Sequence, residues 1–350
     1  MRVITQIPNN DLLAAQQVAR IAERAGFDSI ITAENAHNPF LPLAAAALVT
    51  ERIQLGTAVA MAFPRSPTVT AHVAWDLHKA SKGRFYLGLG SQVKAHNERR
   101  YGVAWSPPAP RMRDYIRAVR AIWQAWETET ALDYHSDTYN LTLMTPNFSP
   151  RPMGLARIPI SLAAVGPGML RLGGEVCDGV RLHPFSTRRY LAEVSIPRIA
   201  EGLARSARQR REVEVIAGGY GFIGTGRNDE AIAKARAYVR FRSAFYSSTK
   251  AYWDVLRLHD LEWLGEKLNP LPRENRWSEM ADQIPEDKID LFATLADYEA
   301  LPAAIEKRYG GCADTVLLQI GADEDIDRLA ACVAAIQRIP CPFEGYGLQA

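Results

Sequence analysis

Histidine side chains follow three of the β-strands that the sequence predicts. His37, His96 and His183 lie at or just after the ends of the second, fourth and sixth predicted strands. A neutral imidazole can donate or accept a proton near pH 7, and it can also bind a metal ion. We expect proton transfer or cofactor binding here and no metal site, because the first strand ends in Gln6-Ile7-Pro8 without an HxH pair. For each histidine alone, an ordinary buried or surface ring is the alternative.

A glycine-rich turn, "AVGPGMLRL", separates a predicted strand from a predicted helix. Gly166 and Gly168 flank Pro167 in this turn, and backbone N–H groups at the start of a helix can bind an anion such as phosphate. Many such turns use glycine only for backbone geometry. A second glycine-rich segment follows the seventh predicted strand and competes for the same role. Its glycines are Gly218, Gly219, Gly221, Gly224 and Gly226.

The segment "GRFYLGLGSQV" raises a question about close contact. Apolar side chains at every second position predict a strand that ends at Gly90. Glycine within a strand indicates that a neighbouring backbone or a ligand comes close. Gly88 and Gly90 are therefore explained either by tight packing of the neighbouring strands or by a flat ligand at the strand end.

The strand ends carry few side chains that could perform a reaction unaided. The chain contains no GxSxG, HExxH or Walker motif. The residues that follow the predicted strands are mostly Gly, Ala, Ser, Val and Met rather than carboxylates. This composition favours a broad, flat ligand, and it suits a cofactor that supplies the chemistry while the protein orients it.

The elements that must position these residues alternate regularly along the chain. The predicted strands are 3–7, 29–34, 53–60, 84–90, 159–165, 179–185, 213–224 and 314–321. The predicted helices are 11–25, 39–50, 67–81, 111–126, 168–177, 187–207, 228–250 and 325–338. Eight strands alternating with eight helices predict a (β/α)8 TIM barrel, here a single α/β domain over residues 1–350. A doubly wound open sheet is the alternative, but it would usually show fewer strands and a GxGxxG after the first one.

Two segments exceed a minimal barrel. Residues 130–150 predict a short hairpin after the fourth helix, and residues 251–296 predict a helical insertion between strands seven and eight. The second segment contains Trp253, Trp263 and Trp277. Insertions after barrel strands lie over the active-site face. This one is expected to roof a substrate pocket, to bury a dimer interface or simply to add a packed layer.

Composition excludes several classes of protein. With 41 basic and 39 acidic residues the net charge is +2, so a nucleic-acid partner is not expected. The four cysteines, Cys177, Cys312, Cys332 and Cys341, are scattered without a CxxC pair. The start "MRVITQIPNN" has no long apolar segment, and no run of 18 apolar residues occurs. We therefore expect a cytoplasmic protein with reduced thiols and no membrane partner.

Three longer stretches resemble a known family. They are "AERAGFDSIITAEN", "IQLGTAVAMAFPRSPTVTAHVAWDLHKASKGRFYLGLGSQVKAH" and "PISLAAVGPGMLRLGGEVCDGVRLHPF". They are similar to the bacterial luciferase-like monooxygenase superfamily, and most closely to its branch of oxidoreductases that use the deazaflavin coenzyme F420. The similarity covers essentially the whole chain, and "SKGRFYLGLG" is its most specific part. It implies a TIM barrel, a flavin or deazaflavin ring at the carboxyl-terminal mouth and a homodimer.

The resemblance also implies roles for individual residues. The cofactor would contact Ala58, Val59, Ala60, Gly90, Ser91, Gln92, Val93, His96, Val165, Gly166, Pro167, Gly168, Met169 and His183. Within this set, the 166–169 turn would hold the phosphate and the end of the third strand would lie behind the ring. His37 would act beside the ring, with Asn35 as its competitor within "ENAHNPF". Relatives often carry a non-proline cis peptide at the third strand, expected here at Ala58–Val59 or, failing that, at Val59–Ala60.

The function implied by the resemblance is redox chemistry on a small molecule. We expect an oxidoreductase that transfers a hydride between coenzyme F420 and a small organic substrate. One alternative is an FMN-dependent monooxygenase that uses reduced flavin and O2, and another is a flavin-binding barrel without turnover. The substrate does not follow from the resemblance.

Overall fold

Eight parallel strands close into a barrel at the centre of the molecule, as a computed structural model shows for residues 1–225, 229–320 and 325–346. The first strand pairs with both the second and the eighth, and the third pairs with the fourth. The predicted (β/α)8 fold is thereby confirmed. Position 228 of the seventh predicted helix, Gly226 of the glycine-rich segment and Gly321 of the last predicted strand lie outside the described residues.

The strands of the barrel are shorter than the sequence predicts. In chain order they are Arg2–Gln6, Ser29–Thr32, Gln54–Thr57, Phe85–Gly90, Ile160–Ala164, Gly179–Leu182, Glu214–Gly218 and Thr315–Leu317. The helices that follow them or cover the barrel are Leu12–Arg24, Phe40–Ala47, Pro67–Ala80, Pro108–Thr128, Pro167–Val176, Ile196–Arg205, Leu301–Tyr309 and Ile326–Gln337. Further helices include Lys94–Arg99, Asp229–Ser247, Trp253–Arg257, Glu262–Leu268 and Ile289–Phe292.

Alternation along the strands builds two separate cores. Side chains that point inward, among them Ile4, Ile31, Tyr86 and Leu317, form a small cluster inside the barrel. Their neighbours along each strand point outward and join the large core between the strands and the helices. Because successive side chains of a strand point to opposite faces, a residue next to an outward-pointing one points into the barrel.

Tight packing against the third strand explains the glycines of the fourth strand. A Cβ at Gly88 would lie 1.8 Å from the carbonyl oxygen of Thr57, and one at Gly90 would lie 2.5 Å from the Cγ2 atom of Val59. The Thr57 hydroxyl donates to the Gly88 carbonyl oxygen at 2.6 Å and accepts from its N–H at 2.9 Å. The third strand therefore lies so close that only glycine fits opposite it.

The third strand is interrupted where the resemblance implied. It runs over Gln54–Thr57 and resumes as the short strand Ala60–Met61, which pairs with the end of the fourth strand. The peptide bond between Ala58 and Val59 is cis, at the first of the two expected positions. The segment stays tied to the second strand, because Ala58 N–H donates to the Thr32 carbonyl at 2.6 Å.

The seventh repeat of the barrel differs from the prediction. The predicted strand 213–224 splits into Glu214–Gly218 and a short strand, Ile223–Gly224, which pairs with Thr294–Leu295 outside the barrel. A turn with positive φ at Gly218, Gly219 and Tyr220 separates the two.

The seventh helix of the barrel was also assigned wrongly. The helix Asp229–Ser247, predicted as 228–250, packs against the insertion, so the insertion begins earlier than 251. The helix Leu301–Tyr309 covers the barrel instead, through Leu301, Ile305 and Tyr309. Its nine residues give too short an apolar pattern for sequence analysis to find.

The two predicted insertions are both present. Tyr134–His135 pairs antiparallel with Asn140–Leu141, which confirms the hairpin in 130–150. The helical insertion has its own apolar cluster, which includes Trp253, Leu264 and Phe292 together with Phe185 from the loop after the sixth strand. The insertion is therefore joined to the barrel at the end of that strand.

Replacing Gly88 tests the close approach of the two strands. Gly88→Ala should lower the free energy of unfolding by about 3 kcal/mol, at the upper end of the range for overpacked sites, because the methyl group meets a backbone oxygen. Gly166→Ala is the matched control, since no heavy atom lies within 4 Å of a Cβ there. Urea denaturation of both variants measures the difference, and equal stabilities would contradict the packing explanation.

Candidate active site at the mouth of the barrel

The carboxyl ends of the barrel strands surround a cavity of about 100 Å³. Small residues leave this end of the barrel open, since Ala58, Ala163 and Gly218 line the cavity where branched side chains usually fill a barrel. Ile31 and Leu317 contribute apolar walls. The mouth is therefore a slot lined mainly by small and apolar side chains.

Four of the predicted cofactor residues line this cavity. Ala58 and Val59 border it from the interrupted third strand, Val165 from the end of the fifth strand and His183 from the end of the sixth. Ala60 lies one residue beyond them and is buried within its short strand. These residues share one side of the barrel, where parallel strands all end.

The predicted phosphate turn continues directly from the cavity wall. Gly166 precedes the helix Pro167–Val176, and its carbonyl accepts the N–H groups of Met169 and Leu170, each at 3.1 Å. Pro167 and Gly168 are exposed. No heavy atom lies within 4 Å of a Cβ at Gly166, so the turn has free space beside it. Its exposed helix start suits an anion.

The end of the fourth strand forms a loop and a short helix that the sequence did not predict. Gly90 is buried, Ser91 and Gln92 are half-buried, and Gln92 has a φ of 56°. The buried Asn97 amide fixes this loop by donating to the carbonyls of Ser91 and Val93 at 2.9 and 3.2 Å.

Two more of the predicted cofactor residues are exposed at this edge. Val93 precedes the helix Lys94–Arg99, and His96 lies on it. Both side chains therefore lie at the rim and not in the cavity.

The two predicted catalytic residues lie on the loop after the second strand. Asn35 and His37 are exposed, and neither lines the mouth cavity. The Asn35 side chain accepts a hydrogen bond from the amide of Asn9 at 3.0 Å, and Arg100 donates to the Asn35 carbonyl at 2.5 Å. Asn35 thus fastens the loop, whereas the His37 ring makes no hydrogen bond to any described residue.

His183 lies in an aromatic environment. Its ring centroid is 4.4 Å from that of Tyr246 and 4.3 Å from that of Tyr252. Burial, together with the nearby positive charge of Arg242, lowers the pKa of His183 to about 3. The ring is therefore neutral at physiological pH. Its Nδ1 accepts the N–H of Phe185 at 3.2 Å, which leaves Nε2 as the N–H donor.

Sequence analysis missed several residues of the mouth. Arg181 and Tyr220 both line the cavity. Arg181 gave a usable signal, since a charged residue in "GVRL" interrupts an otherwise apolar strand. Tyr246 and Tyr252 gave no such signal in the sequence, because they are distant from His183 along the chain and reach it only through the fold of the insertion.

An ion pair braces the interrupted strand from outside the cavity. Arg65 donates to both carboxylate oxygens of Glu34, at 2.7 and 2.8 Å. Glu34 also accepts the N–H of Met61 at 2.7 Å, and Arg65 donates to the carbonyl of the same residue at 3.0 Å. The pair therefore holds the short strand Ala60–Met61 at a fixed distance from the second strand. The predicted second strand ends at Glu34, but its sequence gives no indication of this role.

Two further features bear on the kind of site. Within the described ranges, no three His, Cys, Asp or Glu side chains come together as metal ligands would. Among the helices of the same ranges, none has the length and apolar character required to cross a bilayer.

Comparison with known proteins decides the family. Residues 3–315 match the model of the luciferase-like monooxygenase family. The chain belongs to this family. The resemblance inferred from the sequence is thereby confirmed, and with it the general class of oxidoreductases.

Two mycobacterial relatives cover most of this luciferase-like chain. It is 41% identical over 308 residues to an uncharacterized protein of Mycobacterium tuberculosis, which is 88% of this chain and 90% of the relative. It is 29% identical over 334 residues, 91% of this chain and 93% of the relative, to a second protein of that organism. The name of this second relative assigns it provisionally to the coenzyme F420-dependent oxidoreductases.

A solved structure shows the same fold. The coenzyme F420-dependent tetrahydromethanopterin reductase from Methanopyrus kandleri superposes with a TM-score of 0.77 over 97% of each chain. The two sequences are 21% identical, so this likeness concerns the fold.

The lowered pKa of His183 predicts a pH-dependent stability. An unfolded histidine binds a proton near pH 6.5, whereas this ring in the folded protein does so only near pH 3, so stability falls as pH falls from 6.5 towards 3. Between pH 7 and pH 5, the wild-type protein should lose about 1–2 kcal/mol more of its unfolding free energy than His183→Asn does.

Urea denaturation at the two pH values measures this difference. His96→Asn is the matched control, because it makes the same substitution at an exposed ring outside the cavity. His78 and His259 titrate in all three proteins and cancel in the comparison. An identical pH dependence for wild type and His183→Asn would refute the assignment of a neutral, buried ring.

Proposed function

We propose that this protein is an oxidoreductase that transfers a hydride between coenzyme F420 and a small organic substrate at the mouth of its barrel. The observation that carries the proposal is the continuity of the site. The apolar slot at Ala58, Val59 and Val165 runs directly into the open turn at Gly166. A flat ring with a phosphate-bearing side chain fits a slot and a helix start joined in this way.

The residues present suit such a cofactor. A bound deazaflavin supplies the hydride-transferring centre. Ala58 and Val59 offer a surface of small side chains, and neutral His183 presents an N–H donor at the edge of the slot. Tyr220 and the rings packed on His183 cover one side, which limits the access of water.

His37 is the proposed proton-transfer residue. Its support is the family resemblance and its place on the loop after the second strand, beside Glu34, which braces the slot. The proposal requires the exposed ring to act on a part of the ligand that extends from the slot to the rim. Asn35 is the weaker choice, since its side chain and its carbonyl are already engaged in hydrogen bonds.

Cofactor titration tests the proposal. Purified protein is titrated with F420 and with FMN, and fluorescence is recorded. F420 should bind at least about tenfold more tightly than FMN. A protein selects one cofactor over another through the difference between the two binding free energies. Tighter binding of FMN would favour a flavin-dependent monooxygenase, which the family name also covers. Binding of neither would favour a barrel without this redox function.

A charge placed in the turn tests the phosphate site. Gly168→Asp should weaken F420 binding more than about tenfold, because a carboxylate repels the phosphate at the helix start. Gly168→Asn is the matched control, since it adds nearly the same volume without charge. A Cβ at this position lies 3.8 Å from the Ala109 side chain, an ordinary contact, so both variants should fold. Equal affinity in wild type and Gly168→Asp would direct the search to Gly218 and Gly219.

Removal of His37 tests the proton-transfer role. At saturating F420, His37→Ala should reduce turnover about a hundredfold, as is usual for a lost general acid or base, with little change in F420 affinity. His96→Ala removes another exposed ring of the rim and serves as control. Weaker binding with normal turnover would make His37 a binding residue, and full activity would refute its role.

A further inference from the structure

Arg181 is an arginine that the fold turns into the barrel. It lies in the sixth strand, Gly179–Leu182, where its neighbour Val180 points outward and contacts Gly173 of the covering helix. Successive side chains of a strand point to opposite faces, so Arg181 points inward. There it lines the mouth cavity. Its charge also bears on Tyr86 inside the barrel, where it opposes the rise that burial causes in the pKa of the phenol.

The guanidinium of Arg181 has no partner among the described residues. Its Nε and Nη2 atoms are buried without a hydrogen bond. Glu214, a carboxylate inside the barrel, is already engaged by Arg2 at 2.6 Å and by the hydroxyls of Thr315 and Tyr346. Two buried donors without an acceptor are unfavourable, so Arg181 is suited to a negative group that arrives with a ligand.

A second cation increases the positive potential of the mouth. The guanidinium carbon of Arg242 lies 5.2 Å from the ring centroid of Tyr220, a cavity residue, and 4.8 Å from that of Tyr246. Its Nη2 donates to the Tyr246 hydroxyl, while its Nε is buried without a partner. His183 is neutral and does not offset the positive charges of the two arginines. The mouth therefore attracts anions and offers unused donors to them.

The size and walls of the cavity limit the anion. The cavity measures about 100 Å³, so the space beside Arg181 is small. Beside Arg181, such a space suits a carboxylate with a short carbon chain. Ile31 and Leu317 provide apolar contacts for the carbon chain. A fully charged phosphate would find fewer polar partners than its oxygens require.

We propose that Arg181 binds the carboxylate of a small organic acid, which makes short-chain hydroxy or oxo acids the substrate class of the proposed oxidoreductase. The carboxylate itself is unchanged in the reaction. A hydroxy acid gives the hydride of its carbinol carbon to oxidised F420 and its hydroxyl proton to a base and becomes the oxo acid, and the reverse reaction consumes reduced F420 and a proton. This inference rests on the proposed function for the reaction and on the geometry of Arg181 for the anion. The planar guanidinium offers its Nε and Nη2 hydrogens side by side, an arrangement that matches the two oxygens of a carboxylate. The substrate is thereby held below the slot assigned to the cofactor ring.

Binding of propionate to the protein without cofactor tests the anion site. Thermal denaturation is followed with increasing sodium propionate, with propionamide as the neutral analogue and sodium chloride at matched ionic strength. Propionate should raise the melting temperature of the wild type by at least about 2 °C, and propionamide should not. Arg181→Gln should abolish the shift, Arg181→Lys should retain part of it, and the surface variant Arg257→Gln should keep all of it.

Several outcomes would overturn the inference. They are the absence of a propionate shift in the wild type, an equal shift with propionamide, a shift with phosphate only, and a full shift in Arg181→Gln. If Arg181→Gln fails to fold, the wild-type comparison of propionate with propionamide still decides.

Titration with F420 separates this inference from the proposed function. Arg181→Gln should bind F420 within about threefold of the wild type, because the carboxylate site is distinct from the ring site. Loss of F420 binding without any propionate effect would assign Arg181 to the cofactor and refute the inference. A wild type that responds to propionate but does not bind F420 would refute the proposed function and leave the carboxylate site standing.

Discussion

The architecture of the mouth depends on the close approach of the third barrel strand to the fourth. Gly88 and Gly90 admit the Thr57 carbonyl and the Val59 side chain at distances that no Cβ would allow. Once the third strand has moved this far inward, it cannot continue its regular pairing, and it resumes only at Ala60–Met61. The ion pair of Glu34 with Arg65 supports the displaced segment from the other side. The flat wall of the slot is the consequence of these contacts, which form from residues far apart in the chain.

Inside the barrel, one group of polar side chains has its hydrogen-bond partners, whereas another polar side chain lacks them. Near the amino ends of the strands, Arg2, Glu214 and Tyr346 complete one another's hydrogen bonds. Nearer the mouth, Arg181 has no such partner among the described residues. Stability alone would favour an apolar side chain at that position, since an unpaired buried charge is costly. A polar group retained against this cost is typical of a binding site, where a ligand completes the interactions.

Sequence patterns predicted the strands and helices more accurately than the contacts between them. The alternation of strands and helices identified the barrel, and the family resemblance singled out Ala58, Val59, Val165 and His183, which line its mouth. The seventh helix was assigned wrongly, because the longer pattern at 228–250 concealed the short helix Leu301–Tyr309. The tyrosines around His183 could not be predicted, since the fold of the insertion alone brings them there. His37 was selected by its chain position after the second strand, yet its exposure shows that chain position does not fix the direction of a side chain.

A crystal structure of the protein with F420 would test most directly whether the mouth of the barrel is the cofactor site. The deazaflavin ring should lie against Ala58 and Val59, and the phosphate should lie within hydrogen-bonding distance of the backbone N–H groups of the turn at Gly166 and Gly168. The Arg181 guanidinium should remain free of the ring, with solvent or a small anion bound to it. A ring located outside the mouth, or a phosphate bound instead by the turn at Gly218 and Gly219, would contradict this assignment.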